Sequence, residues 1–278
     1  MTDGRSPVAF VTGASRGIGA EAAVKLAEAG FDVVATARTV TDADAPTIEQ
    51  PGAPAIQVSG SLQTTAARIE GAGQRALPVR MDLTDRDSVL AAADEAERVF
   101  GQVDVLVNNA VYQGPGNMAP LLGTPIEQIE TTIQADVLSM VALLQRLLPG
   151  MVERGHGVVV DVTSAVAFLE PPAPLGKGGW GFAYGISKGA CDRMAGLINA
   201  ELGDSGVIAY NIEPGFVAYG EKLERATTSY PGVEVTPPEA IGAAIAWLVT
   251  SEDATRFRNK RVHGPELARD KGLLADWP

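Results

Sequence analysis

Tyr184 and Lys188 stand four residues apart in the run Tyr184-Gly185-Ile186-Ser187-Lys188, and Ser164 lies upstream at the end of a strand-like run. On a helix that spacing puts both side chains on one face. An ammonium beside a phenol favours the phenolate, which brings a group with a free pKa of about 10 toward acid–base work near neutrality. Tyr184 would give a proton to a carbonyl oxygen, or take one from an alcohol, while the Ser164 hydroxyl holds that oxygen by a hydrogen bond. Taken alone, Tyr-x-x-x-Lys is also what an exposed helix face carries.

A second run, Thr12-Gly13-Ala14-Ser15-Arg16-Gly17-Ile18-Gly19, follows the apolar Val8-Ala9-Phe10-Val11. Gly13 suits a tight turn, and Gly17 and Gly19 let backbone approach a pyrophosphate. The helix that starts there offers N–H groups and a partial positive charge to an anion. A purely structural strand-to-helix turn would also explain these glycines. At the end of the next strand, Thr36-Ala37-Arg38 holds no carboxylate for a ribose hydroxyl. Arg38 would instead clamp a 2′-phosphate, with Arg16 assisting, so the expected cofactor is NADP(H) rather than NAD(H). Against this stand a merely solvated Arg38 and an acid supplied by the nearby insertion, Asp42 or Asp44.

These residues need elements to place them. Largely apolar runs at Val8–Val11, Asp32–Ala37, Ala76–Met81, Val103–Val107, Val158–Val162 and Val207–Ile212 read as strands, and Lys260–His263 is a candidate for a short last one. Helical spacing covers Ile18–Ala29, Asp85–Phe100, Pro125–Leu148, Phe182–Leu202 and Pro237–Val249. Alternating strands and helices imply an α/β fold, a Rossmann-like doubly wound parallel sheet of about seven strands with helices on both faces. No linker divides the chain, so residues 1–278 are expected to form a single dinucleotide-binding and catalytic domain. Three stretches break the alternation. Residues 39–59 read as an inserted loop, 168–181 as a Pro- and Gly-rich substrate loop, and 265–278 as a C-terminal tail.

Bulk properties exclude several alternatives. The formal charge of −12 disfavours nucleic acid as a partner. One cysteine, Cys191, permits no intrachain disulfide or thiolate cluster; it reads as a small packed thiol and suits a reducing cytoplasm. His156 and His263 are the only histidines and lie far apart, so no metal site is expected. No uninterrupted apolar run reaches the roughly 18–20 residues of a membrane span, and the polar start reads as no secretory signal.

Together, the glycine run, Asp82-Leu83, Asn108-Asn109-Ala110, Ser164, Tyr184-x-x-x-Lys188 and Pro214-Gly215 resemble the short-chain dehydrogenase/reductase family from about Pro7 to about Val249. The resemblance implies an NAD(P)-dependent oxidoreductase acting on an alcohol/carbonyl pair, with Lys188 also on the nicotinamide ribose. It implies that Asp82 and Leu83 border the adenine, Asn109 and Ala110 its ribose, and Pro214, Gly215 and Val217 the nicotinamide. Plain turn chemistry would equally account for these Asn, Gly and Pro residues. It implies a homodimer or homotetramer paired through the helices that carry Asp136 and Tyr184. The chain also departs from the family. Asp136 replaces an asparagine that helps anchor a relay water, and Tyr219 stands where a threonine often binds the carboxamide. The spacing from Ser164 to Tyr184 is long, and the extra loop bears Phe168 and Trp180, expected to line an apolar substrate pocket. Val262-His263-Gly264-Pro265 replaces the usual closing segment. A non-catalytic nucleotide-binding regulator and a dehydratase or epimerase remain as alternative readings.

Overall fold

The computed structural model describes residues 5–50, 53–218, 220, 223, 232–275 and 277. The chain begins β1 (Val8–Thr12), α1 (Gly17–Glu28), β2 (Asp32–Ala37), β3 (Thr47–Gln50), β4 (Ala53–Gln57), α2 (Leu62–Gly71) and β5 (Ala76–Arg80). It continues through α3 (Arg86–Phe100), β6 (Val105–Asn108), α4 (Ile126–Ile133), α5 (Ser139–Arg154), β7 (Gly157–Val162) and α6 (Phe182–Leu202). It closes with β8 (Val207–Glu213), β9 (Phe216–Val217), β10 (Val235–Thr236), α7 (Pro238–Thr250), β11 (Arg261–His263) and α8 (Gly264–Asp270). Seven strands form one sheet in the order β11-β8-β7-β6-β1-β2-β5. The registers of β1 with β2, β2 with β5, β6 with β7, and β7 with β8 are all parallel. This is the Rossmann-like α/β fold that the alternation predicted.

The contacts divide the chain into two compact units. One comprises Met1–Arg80, Pro214–Ala254 and His263–Pro278; the other comprises Met81–Glu213 and Thr255–Val262. In the first unit every residue of β1 and β2 is buried, which suits their mostly apolar runs. α1 packs its Ala- and Leu-rich face on α7, itself buried along most of its length. In the second unit, α3 and α5 pack together through residues such as Val89, Leu143 and Leu147. Removing such a fully buried leucine costs about 2–5 kcal/mol.

Several elements differ from the sequence reading. Residues 39–59 are not an irregular loop throughout. They hold a 3-10 turn at Asp42–Asp44, closed by reciprocal bonds between Thr41 and Asp44, and an antiparallel pairing of β3 with β4. The strands are too short, and one too proline-bearing, to stand out by period. α2 went unread because it is short and mostly polar; Ser61 caps it by accepting from the Thr64 N–H, and Leu62, Ala66 and Ile69 turn inward.

The long helix expected over Pro125–Leu148 is broken. A π turn at Gln134–Leu138 separates α4 from α5, which runs on to Arg154. By length and composition alone the stretch Ile126–Arg154 could cross a membrane; 44% of its apolar window is buried within the fold. The C-terminal tail is not a loose end. α8 packs on α7 through buried Leu267 and Ala268, and Arg269 pairs with Glu234 and stacks on Trp277.

Candidate active site

β7 delivers its carboxyl end to the candidate acid–base residues. Beyond Val162, the chain makes a 3-10 turn at Ala165–Ala167, and Ser164 caps it by accepting from the Val166 N–H at 3.4 Å. Ser164 and Tyr184 are half-buried, whereas Lys188 is buried. The Lys188 ammonium donates to the Val162 carbonyl at 2.9 Å, two residues before Ser164. A buried ammonium needs such partners, because desolvation otherwise drives off its charge. α6 thus ties its lysine to the strand end that carries the serine.

The start of α6 is held from outside. The Phe182 N–H donates to the Ala119 carbonyl and the Tyr184 N–H to the Asn117 carbonyl, at 3.0 and 3.3 Å. These bonds satisfy donors that a helix N-terminus leaves open. Gly181 permits the approach, since a Cβ there would lie 2.2 Å from the Asn117 carbonyl oxygen. Asn117 is buried, and its side chain donates to the Tyr112 carbonyl at 2.7 Å.

Asp136 sits in the π turn and is 3% exposed. One carboxylate oxygen accepts from the Tyr112 N–H at 2.7 Å, and the other from the Ser187 hydroxyl at 2.9 Å. Burial pushes its carboxyl above the usual range, opposed by these two bonds and by the charge of Lys188. Irregular π turns recur at functional sites, and this one turns an acid inward toward α6. Cys191 donates to the Asp136 carbonyl at 3.2 Å, and burial pushes its thiol up to about 12, which suits the packed, unreactive role expected of it.

Asp161, in the Val-rich β7, escaped the sequence reading. It is buried, accepts from the Asn108 side chain at 2.7 Å, and faces a cavity of about 10 Å³ with Asp136, Lys188 and Cys191. Its signal in the sequence was a lone charge inside an apolar strand.

In the first unit, the glycine turn has the geometry of an anion cradle. Gly13 and Gly17 take φ values of 70° and 57°, a region closed to most residues with a Cβ. No side chain caps the start of α1, so its N–H groups suit the pyrophosphate of a dinucleotide. Ser15 is buried beneath the turn, and Ile18 and Gly19 lie in the first turn of α1. Arg16 is engaged locally: its guanidinium donates to the Ser59 and Gly60 carbonyls at 3.0 and 2.7 Å and to the Thr39 hydroxyl at 3.2 Å. Arg38 is exposed just past β2. Asp44 is tied up with Thr41, and Asp42 accepts from Thr64. Pro214 is buried, and Val217 in β9 pairs with Thr236 in β10. Tyr219 lies outside the described residues.

The other expected residues belong to the second unit. Asp82 folds its carboxylate back on Thr84, and the Leu83 carbonyl accepts from the Ser139 hydroxyl at 2.6 Å. Asn109 and Ala110 are half-buried past the end of β6. Trp180 is half-buried against α6, where a Cβ at Gly185 would meet its ring at 3.4 Å. Phe168 is 40% exposed, with the Arg261 guanidinium 3.7 Å from its ring centre. Arg261 also holds Asp192 through two bonds of 3.0 and 2.6 Å, and Asp192 accepts from Thr163. Among the described residues, no group of three or more His, Cys, Asp and Glu side chains is arranged to hold a metal.

A family profile described as short chain dehydrogenase matches residues 7–60 and 55–228. A short chain dehydrogenase of Pseudocercospora fijiensis is 30% identical over 212 residues, 75% of this chain; the match spans 59% of that relative's length. The 2-(R)-hydroxypropyl-CoM dehydrogenase of Xanthobacter autotrophicus is 28% identical over 97% of this chain and 99% of its own. Among solved structures, acetoin dehydrogenase from Enterobacter cloacae superposes with a TM-score of 0.74 at 26% identity, covering 93% of this chain and 94% of that one.

Proposed function

Because the chain belongs to the short-chain dehydrogenase/reductase family, we propose that it interconverts an alcohol and a carbonyl with NADP(H), using Tyr184 as the acid and base. The observation that carries this reading is the burial of Lys188 on the Tyr184 helix, bonded to the strand end that leads to Ser164. A bound nicotinamide would supply or accept the hydride. Tyr184 gives its phenolic proton to the carbonyl oxygen in reduction and takes it back in oxidation. Lys188, one turn further along α6, brings its ammonium to the strand end that leads to Ser164. Ser164 donates its hydroxyl to the substrate oxygen as charge develops there. Gly13, Ser15, Gly17, Ile18 and Gly19 would cradle the pyrophosphate of a bound dinucleotide. By resemblance to the family, Asp82, Leu83, Asn109, Ala110, Pro214, Gly215 and Val217 would hold the rest of a bound dinucleotide. A binding-only regulator would keep the glycine turn but would have no need of a buried lysine beside Tyr184.

NADP(H) is favoured because Arg38 is exposed just past β2 with no adjacent carboxylate in sequence. Arg16 takes part only by giving up bonds to residues 59 and 60. One relative named above is a 2-(R)-hydroxypropyl-CoM dehydrogenase and one structural neighbour an acetoin dehydrogenase, which supports a hydroxy or keto substrate. Exposed Met118, Leu121, Leu122 and Phe182, and the half-buried Trp180, favour an apolar one. Phe168 serves less as a pocket wall than as the seat of Arg261. We take the whole chain to act as one domain in a reducing, cytoplasmic setting. We take it to pair as a homodimer or homotetramer through the surfaces of α4, α5 and α6, where Leu138, Ile186 and Leu197 are exposed.

The test is NADPH oxidation over a panel of ketones with wild type and Tyr184→Phe. The substitution is expected to lower kcat by about 10²–10⁴-fold while NADPH binding, followed by fluorescence, is retained. Unchanged turnover in Tyr184→Phe would overturn the assignment.

A further inference from the structure

Asp161 is a charge-bearing residue in the middle of an apolar strand, three positions before Ser164. Its side chain is 3% exposed. One carboxyl oxygen accepts from the Asn108 amide at 2.7 Å; the other is buried without a protein partner, as is the Asn108 amide oxygen. Buried polar atoms are rarely left so, and those that are call for an explanation. Both residues border the cavity of about 10 Å³ whose wall includes the Lys188 side chain. That is close to the smallest space able to admit one water, and its wall supplies more than the two polar partners a buried water needs. The groups facing Asp161 are Lys188, Cys191 and Asp192 from α6, Asp136 from the π turn, Asn108 from β6 and Asn211 beside it on β8.

We propose that Asp161 is a proton-positioning residue of the reaction, holding on its carboxyl group a proton that passes to Lys188 through one water in this cavity. The inference rests on Tyr184 and Lys188 being the acid–base pair. In reduction, the Tyr184 O–H bond breaks and the proton joins the substrate oxygen. An N–H bond of Lys188 breaks to restore the phenol, a water O–H bond breaks to restore the ammonium, and the Asp161 O–H bond breaks to restore the water. One proton has then left Asp161 and one has arrived on the product; the hydride would be supplied by a bound nicotinamide, and Asp161 is neither oxidised nor reduced. The carboxylate regains its proton from solvent between turnovers, and oxidation runs each transfer backwards. Burial raises the Asp161 carboxyl to about 7, against the bond from Asn108 and the charge of Lys188. A group that titrates there exchanges protons readily in either direction at neutral pH.

The experiment measures kcat and KM for ketone reduction from about pH 5 to about pH 9 in wild type, Asp161→Asn and Tyr184→Phe. Wild-type kcat is expected to fall as pH rises through about 7, where Asp161 loses its proton. Asp161→Asn is expected to lose that break and about tenfold in kcat, with KM within about twofold. A break that persists in Asp161→Asn, or a loss confined to KM, overturns the proposal. Tyr184→Phe separates the two readings: if it turns over like wild type, the acid–base assignment fails first, whatever Asp161 does. Should Asp161→Asn not fold, Asn108→Leu removes a bond that favours the carboxylate and is expected to move the break to higher pH. A break left in place by Asn108→Leu overturns the proposal as well.

Discussion

Two buried aspartates stand within reach of one lysine's charge, and they are held differently. Asp136 accepts from two donors, Tyr112 and Ser187, an arrangement that suits a carboxylate. Asp161 accepts from one, and burial dominates its titration. Its folded-state pKa of about 7 lies above the ordinary value of 3.8. The folded state therefore keeps this proton more tightly than the unfolded chain does. The resulting stability is fully present below about pH 4 and is lost as pH rises through about 7. A shift of this size corresponds to something on the order of 4 kcal/mol. Urea denaturation of wild type between about pH 4 and pH 8 is expected to show stability falling with pH, and Asp161→Asn to flatten that slope. Equal slopes in the two proteins would show that Asp161 is ionised throughout. Tyr184, Lys188, Ser164 and the glycines could be picked from the chain because their spacing is local. Asp161 could not, because its meaning depends on Asn108 and Lys188, which only the fold brings to it.

Strands and helices with a strong period were legible almost to the residue. Asp32–Ala37 and Phe182–Leu202 have the bounds that their patterns indicated. What stayed hidden were elements whose stability comes from partners. β3 and β4 exist through each other, and α2 is too polar to declare itself. The π turn leaves the helical period almost untouched and shows only as a shift in which side chains face inward. The link from β11 to the segment after Ser164 is of the same kind. Arg261 bonds to Asp192 on α6 and covers the ring of Phe168, four residues beyond Ser164. The pair is partly open to solvent, so its contribution to global stability is small, about 1 kcal/mol or less. Its effect should be local. Arg261→Ala is expected to speed amide hydrogen exchange about tenfold at Ala167, Phe168 and Leu169, whose N–H groups close the 3-10 turn, and to leave α1 unchanged. Equal protection in the two proteins would mean that the turn holds itself.

For the molecule as a whole, a formal charge of −12 makes Arg16 in the glycine turn and exposed Arg38 just past β2 conspicuous. Binding to the folded state alone raises stability by about 2.7 kcal/mol at a hundredfold excess over Kd. Thermal unfolding with equal concentrations of NADPH and NADH is therefore a direct reading of preference. NADPH is expected to raise Tm more, and Arg38→Ala to erase the difference; a preference that survives Arg38→Ala would take that side chain out of recognition. Arg16 adds a further consequence. Its guanidinium is moored to the backbone at Ser59 and Gly60, where the stretch holding β3 and β4 rejoins the chain. Shortening that hairpin by engineering would therefore not be a silent excision. It would cast off a cation at the glycine turn, and on the proposed function dinucleotide affinity is expected to become a function of loop length.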